Sequence, residues 1–290
     1  MIRFSDYEIE KLMEEDMPVG DLTSELLGLN NRMGQIVAVV REEMVACGTE
    51  EAARLFEKAG LVVENYVPSG TKCQEGDQLL EAWGNAAAIH SVWRAGGIFM
   101  EFASGIATRT FRLVQAAQKG NPETTVAGSR KHVPFAKKMA LKALYAGGGI
   151  PHRTGLSDSI LVFREHLRFL GGYEPLAETV QRIRSRQKER MIVVEAHTLL
   201  EALSVAQSGA HFVQLDKMDV SSFRICVTEC RKVNQHLGIV AAGGINEAAA
   251  MSYAEAGADV LVTSWMYAAP PADIGIQITQ LDNQICAADG

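Results

Sequence analysis

The chain has 290 residues, with 35 acidic and 28 basic side chains giving a formal net charge of −7, and it is 47% hydrophobic and 22% charged. That length buries one large core or two modest ones, and the charged fraction is ordinary for a folded globular protein. The acidic balance argues against general binding to nucleic acid or to an anionic membrane, and no apolar run reaches transmembrane length.

The N-terminal stretch MIRFSDYEIEKLMEED is acidic and lacks an apolar core of signal-peptide length, so a cytoplasmic location is expected. Ser5 and Glu8 have the spacing of a capping box, and Phe4 and Ile9 that of a hydrophobic staple, which predicts a first helix. QIVAVVREEMVACG reads as strands, and TEEAARLFEKAG as a helix closed by Gly60. The run from Leu61 to Ile89 alternates short strand patterns with glycine and polar turns. From about Ala86 to Lys119 the pattern is helical, with expected interruptions at Gly96–Gly97 and Ser104–Gly105. The five cysteines, Cys47, Cys73, Cys226, Cys230 and Cys286, have no C-x-x-C spacing. Neither a disulfide framework nor a zinc site is expected of them. Cys226 and Cys230, four apart on an expected helix, read as apolar residues, with a thiol pair as the alternative.

Beyond residue 120 the rhythm changes. The apolar runs TTVAG, SILVF, MIVVE, HFVQLD, GIVAAG and ADVLVT are separated by helical patterns of ten or more residues. Buried strands alternating with helices mean a parallel sheet, long enough here to curl into a barrel. The fold class expected is α/β, a small α+β layer followed by that barrel. Active sites of such barrels form at the C-terminal strand ends, and here those ends are polar: Ser129–Arg130–Lys131, Glu195, Asp216, Gly243–Gly244 and Ser264. Either carboxylate alone could instead cap the following helix. The Gly-Gly turn before Asn246 could present backbone N–H groups to a phosphate, or simply make a tight turn.

The stretch from Thr124 to Ser157 contains no Asp or Glu but holds Arg130, Lys131, Lys137, Lys138, Lys142, Arg153, His132 and His152. Two unit charges 4 Å apart interact by roughly 4 kcal/mol at an effective dielectric near 20. Cations held that close need an anion, supplied by a distant part of the chain or by a ligand, and a multiply charged ligand is the simpler source. Lys138 and Lys142, at i and i+4 of a helix, read instead as a solvated face.

The segments EDMPVGDLTSELL, RAGGIFMEFASGIAT, SRKHVPFAKK, GGGIPHRTGLSDSILVFREH, VVEAHTLLEAL, VQLDKM and AAGGINEAAAMSYAEAGADVL follow the order seen in quinolinate phosphoribosyltransferases, and the chain resembles that family over nearly its whole length. RKHVPF and the aromatic residue before REH are closer to the ModD branch, associated with molybdenum transport. The resemblance implies the type II phosphoribosyltransferase fold: an N-terminal α/β sandwich (1–107) joined by a C-terminal tail (271–290), and an open, incomplete TIM-like α/β barrel (108–270). It implies a homodimer in which Arg94 reaches the neighbouring active site. It also implies transfer of phosphoribosyl from 5-phosphoribosyl-1-pyrophosphate (PRPP) to a pyridine or other aromatic acid, with pyrophosphate release and Mg²⁺ assistance. The matched positions assign Lys131 to pyrophosphate, and Glu195 and Asp216 to the ribose or the metal. Gly243, Gly244 and Ser264 fall to the phosphate, and Arg130, His152, Arg153 and Arg94 to the acid substrate.

Departures from the family pattern fall mostly around the acceptor. Phe163 stands where quinolinate enzymes have lysine, and strand alternation should turn the adjacent Arg164 away. His132–Val133 replaces Thr-Thr, Lys217 replaces Asn after the second acid, and Ser264 replaces a glycine. The reading is therefore a phosphoribosyltransferase with a changed acceptor. The alternatives are an unmodified quinolinate enzyme of NAD synthesis and a non-catalytic anion-binding module.

Overall fold

The computed structural model describes residues 2–281; Cys286 and the end of the 271–290 tail lie outside the described residues. The described chain divides into two compact units. The first comprises the described residues of Met1–Phe111, Val133–Gly148 and Ala268–Gly290, and the second comprises Arg112–His132 and Gly149–Tyr267.

In the first unit, α1 (Asp6–Asp16) starts on the expected capping box, with the Ser5 side chain accepting from the Glu8 N–H and Glu8 accepting from the Ser5 N–H. Asp21 caps α2 (Leu22–Leu26). The strands are β1 (Met33–Val40), β2 (Met44–Val45), β3 (Val62–Tyr66), β4 (Lys72–Cys73) and β5 (Gln78–Asn85). β1 is the centre of an antiparallel sheet ordered Ile274–Leu281, β1, β5, β3, while β2 and β4 pair separately. Every second residue of β1 is buried, as period-two alternation requires of a strand with one face on a core. That core gathers Ile36, Leu80, Leu55, Phe56 and Met100, with α3 (Thr49–Lys58) laid over it.

Helix α4 (Ala86–Gly120) runs 35 residues without the expected breaks. Its glycines serve close packing instead: a Cβ at Gly96 would sit 2.8 Å from the Phe56 ring. Burying that contact outweighs the roughly 1 kcal/mol that glycine costs inside a helix.

Helix α5 (Lys137–Ala146) corrects the solvated-face reading. Lys142 is buried; its Nζ bonds Glu50 at 2.8 Å and also Glu51. Lys138 pairs with Glu8 at 2.6 Å. These anions stand far back in the chain, so two of the cations have protein partners rather than ligand ones. Burial pushes the Glu50 carboxyl up, but hydrogen bonds from Lys142 and Ser69 outweigh it and hold it at about 2. A depressed carboxyl contributes stability that is complete above the unfolded value and is lost as pH falls through the folded one. Thermal unfolding from pH 5 to pH 2 is therefore expected to show a falling midpoint, and Glu50→Gln to flatten that slope.

The second unit is a parallel sheet of β6 (Thr125–Gly128), β7 (Ile150–Pro151), β8 (Ile160–Val162), β9 (Ile192–Ala196), β10 (Phe212–Asp216), β11 (Gly238–Ala242) and β12 (Val260–Thr263). Its order is β7, β6, β12, β11, β10, β9, β8, and every pairing is parallel. The end strands β7 and β8 do not pair, so the curled sheet is an open, incomplete barrel, as expected. β9 is buried at all five positions, the mark of a strand covered on both faces. Helices follow the strands: α6 (Arg164–Arg168), α7 (Leu176–Arg186), α8 (Leu199–Gln207), α9 (Val220–Val233) and α10 (Glu247–Glu255). Cys47, Cys73, Cys226 and Cys230 are free and buried. No helix among the described residues is long and apolar enough to cross a membrane.

Candidate active site

The polar strand ends meet. Ser129, Arg130, Lys131, His152, Arg153, Phe163, Glu195, Asp216, Gly243, Gly244 and Ser264 all line one cavity of about 560 Å³ in the second unit, together with Gln214 and Lys217. A volume of that size suits a small-molecule ligand. Parallel strands create this arrangement because all their C-terminal ends lie on one side of the sheet.

The helix-cap alternative for the two carboxylates does not hold. Thr198 caps α8 and Asp219 caps α9, which leaves Glu195 and Asp216 to the cavity. Glu195 is buried, and its Oε1 lies 3.0 Å from His197 Nε2. Its Oε2 accepts from Gln214 Nε2 at 3.2 Å. No lysine or arginine among the described residues lies within ion-pairing distance of Glu195 or Asp216, although four of them line the same cavity.

On the cationic side, burial and then repulsion from Arg130 hold Arg153 below the usual guanidinium range. Such crowding is relieved by an anion. His152 corrects an expectation: burial, then the Arg153 charge, pushes it down to about 4. It is neutral near pH 7 and offers the cavity a hydrogen bond rather than a positive charge. The Arg153 guanidinium sits over the Phe163 ring, 5.5 Å from its centroid. His166 stacks with the same ring at 5.6 Å between centroids, and its Nδ1 accepts from the Phe163 N–H at 2.9 Å. Strand alternation does not govern Arg164, because β8 stops at Val162 and Arg164 opens helix α6 after the N-cap Phe163; its guanidinium pairs with Glu201 at 3.3 Å.

At the Gly-Gly turn both φ angles are positive, +89° at Gly243 and +75° at Gly244. A Cβ at Gly243 would meet the Lys217 backbone nitrogen at 2.8 Å and Asp216 Oδ1 at 2.9 Å, so only glycine fits beside the second acid. Neither Gly243 nor Gly244 donates its N–H to a protein acceptor among the described residues. Asn246 caps α10, as its position suggested. Such a turn at a helix start offers N–H donors to an oxyanion.

Two sequence-identified residues are not among those lining this cavity. His132 packs edge-on against Tyr267, 6.1 Å between centroids. Arg94 belongs to α4, with its guanidinium 5.5 Å from the Trp93 ring. Sequence reasoning missed His197 and Gln214. Both were signalled by period two: Glu195 and His197, like Gln214 and Asp216, are spaced to share a face.

Family models for the N-terminal domain of quinolinate phosphoribosyl transferase match residues 21–104, and those for its C-terminal domain match residues 106–277. The chain belongs to the quinolinate phosphoribosyl transferase family. It is accordingly an enzyme of the pentosyltransferase class. The ModD protein of Rhodobacter capsulatus is 39% identical over 217 residues, which cover 75% of this chain and 83% of that one. ModD of Pasteurella multocida is 31% identical, over 96% of this chain and 99% of the relative. Among solved structures, NadC from Streptococcus pyogenes has a TM-score of 0.87 at 21% identity, covering 97% of this chain and all of that one. The quinolinate phosphoribosyl transferase fold thus carries a cavity that keeps cations, carboxylates and a Gly-Gly turn while presenting Phe163.

Proposed function

We propose that the protein transfers the phosphoribosyl group of PRPP to a ring nitrogen of an aromatic or pyridine carboxylic acid. The bond from C1 of the sugar to the pyrophosphate oxygen breaks, the bond from C1 to nitrogen forms, and pyrophosphate leaves with the electron pair. The observation that carries the reading is one cavity lined by Arg130, Lys131 and Arg153 together with Glu195 and Asp216.

Each group has work suited to its chemistry. Cleavage at C1 builds positive charge on the ribose, as in glycoside cleavage, and buried Glu195 with Asp216 stabilises it. Lys131 receives the leaving pyrophosphate as a point charge. The Gly243 and Gly244 N–H groups hold the 5-phosphate, with Ser264 beside them. Arg130 and Arg153 take the acceptor carboxylate, and the Phe163 face receives its ring. Oxygen donors from Glu195 and Asp216 fit Mg²⁺, which when bound neutralises charge on the pyrophosphate. Exposed Leu22, Leu26, Leu27 and Phe102 support a homodimer in which Arg94 completes the partner's site. By resemblance the proposal also carries an association with molybdenum transport and a cytoplasmic setting.

The test is pyrophosphate release from PRPP and Mg²⁺ across a panel of aromatic acids. Release is expected with one or more of them, and poor release with quinolinate. Phe163→Lys restores one charge-assisted contact of about 1.5–3 kcal/mol, so it is expected to improve quinolinate use by about tenfold to a hundredfold. No release with any acid, together with no PRPP binding by calorimetry, overturns the proposal. Tight molybdate binding in place of both favours the anion-binding module.

A further inference from the structure

Of the four lysines and arginines that line the cavity, Lys217 alone has a left-handed backbone, at φ +54°. Its N–H donates to the Ala242 carbonyl at 2.8 Å, joining the end of β10 to the residue before the Gly-Gly turn. That bond needs only a backbone, which glycine or asparagine supplies with less strain. What lysine adds is a four-carbon stem and a charge. The stem passes the turn so closely that a Cβ at Gly243 would stand 2.5 Å from Lys217 Cγ.

The charge is uncommitted. Lys217 is exposed, and its ammonium makes no ion pair or hydrogen bond among the described residues. Lys217 also lines a second cavity, with His197, Thr198 and Asp219. The carboxylate there is already engaged. Asp219 accepts from the Ser221 and Ser222 N–H groups at 3.0 Å each, and from the Ser222 hydroxyl at 2.7 Å.

We propose that Lys217 binds the 5-phosphate of the sugar substrate, beside the Gly243 and Gly244 N–H groups. This deepens the phosphoribosyl reading and rests on it. PRPP carries phosphate at both ends of its ribose, and each end gains from a cation. Arg130 and Lys131 follow β6 and Arg153 follows β7, two and three places from β11 in the sheet. β10 is the direct neighbour of β11, and adjacent strands stand about 4.8 Å apart. Lys217 is thus the cation that starts nearest the turn. Its flexible stem lets the ammonium meet a phosphate as a point charge. A strained residue retained at such a place fits a functional role for the side chain, since the turn alone would be served better by asparagine.

The experiment measures binding to the full chain by calorimetry. Ribose 5-phosphate probes one end of the sugar, and inorganic pyrophosphate is the control for the other. Asparagine suits the left-handed backbone, so the thermal midpoint of Lys217→Asn should hold or rise. Its ribose 5-phosphate dissociation constant should nonetheless rise about tenfold to a hundredfold, the loss of one charge-assisted hydrogen bond. Pyrophosphate binding should stay as it was. Lys217→Arg keeps the charge and should keep most of the affinity. A residue retained for the turn alone would show the stability gain with no loss of affinity. A wild type that binds no ribose 5-phosphate, unchanged affinity in Lys217→Asn, or equal losses for both probes overturns the inference. Ribose 5-phosphate binding requires no turnover, which separates the two claims. If no acid supports pyrophosphate release while Lys217→Asn still loses ribose 5-phosphate, the inference stands and the transfer reading falls. Normal release by Lys217→Asn at an unchanged KM for PRPP does the reverse.

Discussion

Glu195→Gln is expected to slow pyrophosphate release by about 10²–10³-fold, the loss seen when one preorganised electrostatic group is removed from a transition state. The substitution is close to isosteric, so it removes charge and keeps shape. The amide oxygen still accepts from Gln214, and the amide nitrogen faces His197, where the carboxylate now stands 3.0 Å away. Folding is therefore expected to survive. The kinetic effect should fall on kcat with little change in the PRPP dissociation constant, because the positive charge at C1 develops only as the bond breaks. Steady-state release with the best acceptor from the panel, alongside calorimetric PRPP binding, separates these quantities. A kcat within a few-fold of wild type removes Glu195 from the chemistry. A lost PRPP affinity at unchanged kcat makes it a ground-state binder instead.

How much of this was legible in the sequence follows from the range of the interactions. Capping at Ser5 and Glu8 spans three residues and was readable directly. Strand ends were readable because apolar runs of four or five stop at polar residues, and a parallel sheet gathers those stops without further information. Lys138 and Lys142 were misread for the opposite reason. Their partners, Glu8, Glu50 and Glu51, stand 91 to 130 positions away, and no local pattern reports them. His152 was misread because the identity of a side chain does not state its burial.

Two positions illustrate the middle ground. Lys217 replaces the Asn expected after the second acid, and its φ is +54°; Phe135, in RKHVPF, also has a positive φ, +66°. Asn and Gly adopt left-handed backbone readily, whereas other residues pay about 1–2 kcal/mol. At Lys217 the left-handed backbone is present although the Asn that favours it is gone. At Lys217 the N–H bonds Ala242 O at 2.8 Å, tying the β10 end to the β11 end beside the Gly-Gly turn. Strain held at such positions is characteristic of functional loops.

The largest stability effect is expected at Lys142→Met. Methionine has similar length and suits a buried site, so packing changes little. What changes is the company of Glu50 and Glu51, whose side chains are 24% and 4% exposed and which lose their common cation. Removing one partner from a buried ionic group leaves uncompensated charge and costs about 3–5 kcal/mol. At roughly 2–4 °C per kcal/mol for a chain of this size, the melting midpoint should fall by about 10 °C. Lys138→Met tests the attribution, because Lys138 and Glu8 are both more than a third exposed and such pairs contribute about 0–1 kcal/mol. A second control restores neutrality: adding Glu50→Gln and Glu51→Gln to Lys142→Met should recover much of the loss, since buried ionic clusters and their uncharged replacements are often near equal in stability. Urea unfolding of the four proteins measures all of this. If Lys138→Met is as damaging as Lys142→Met, or if the triple variant is no better than the single one, then helix packing rather than charge holds α5 in place. The expected ranking instead makes this helix an ion-anchored part of the first unit, in a stretch of sequence whose Arg130, Lys131 and Arg153 line the cavity of the second.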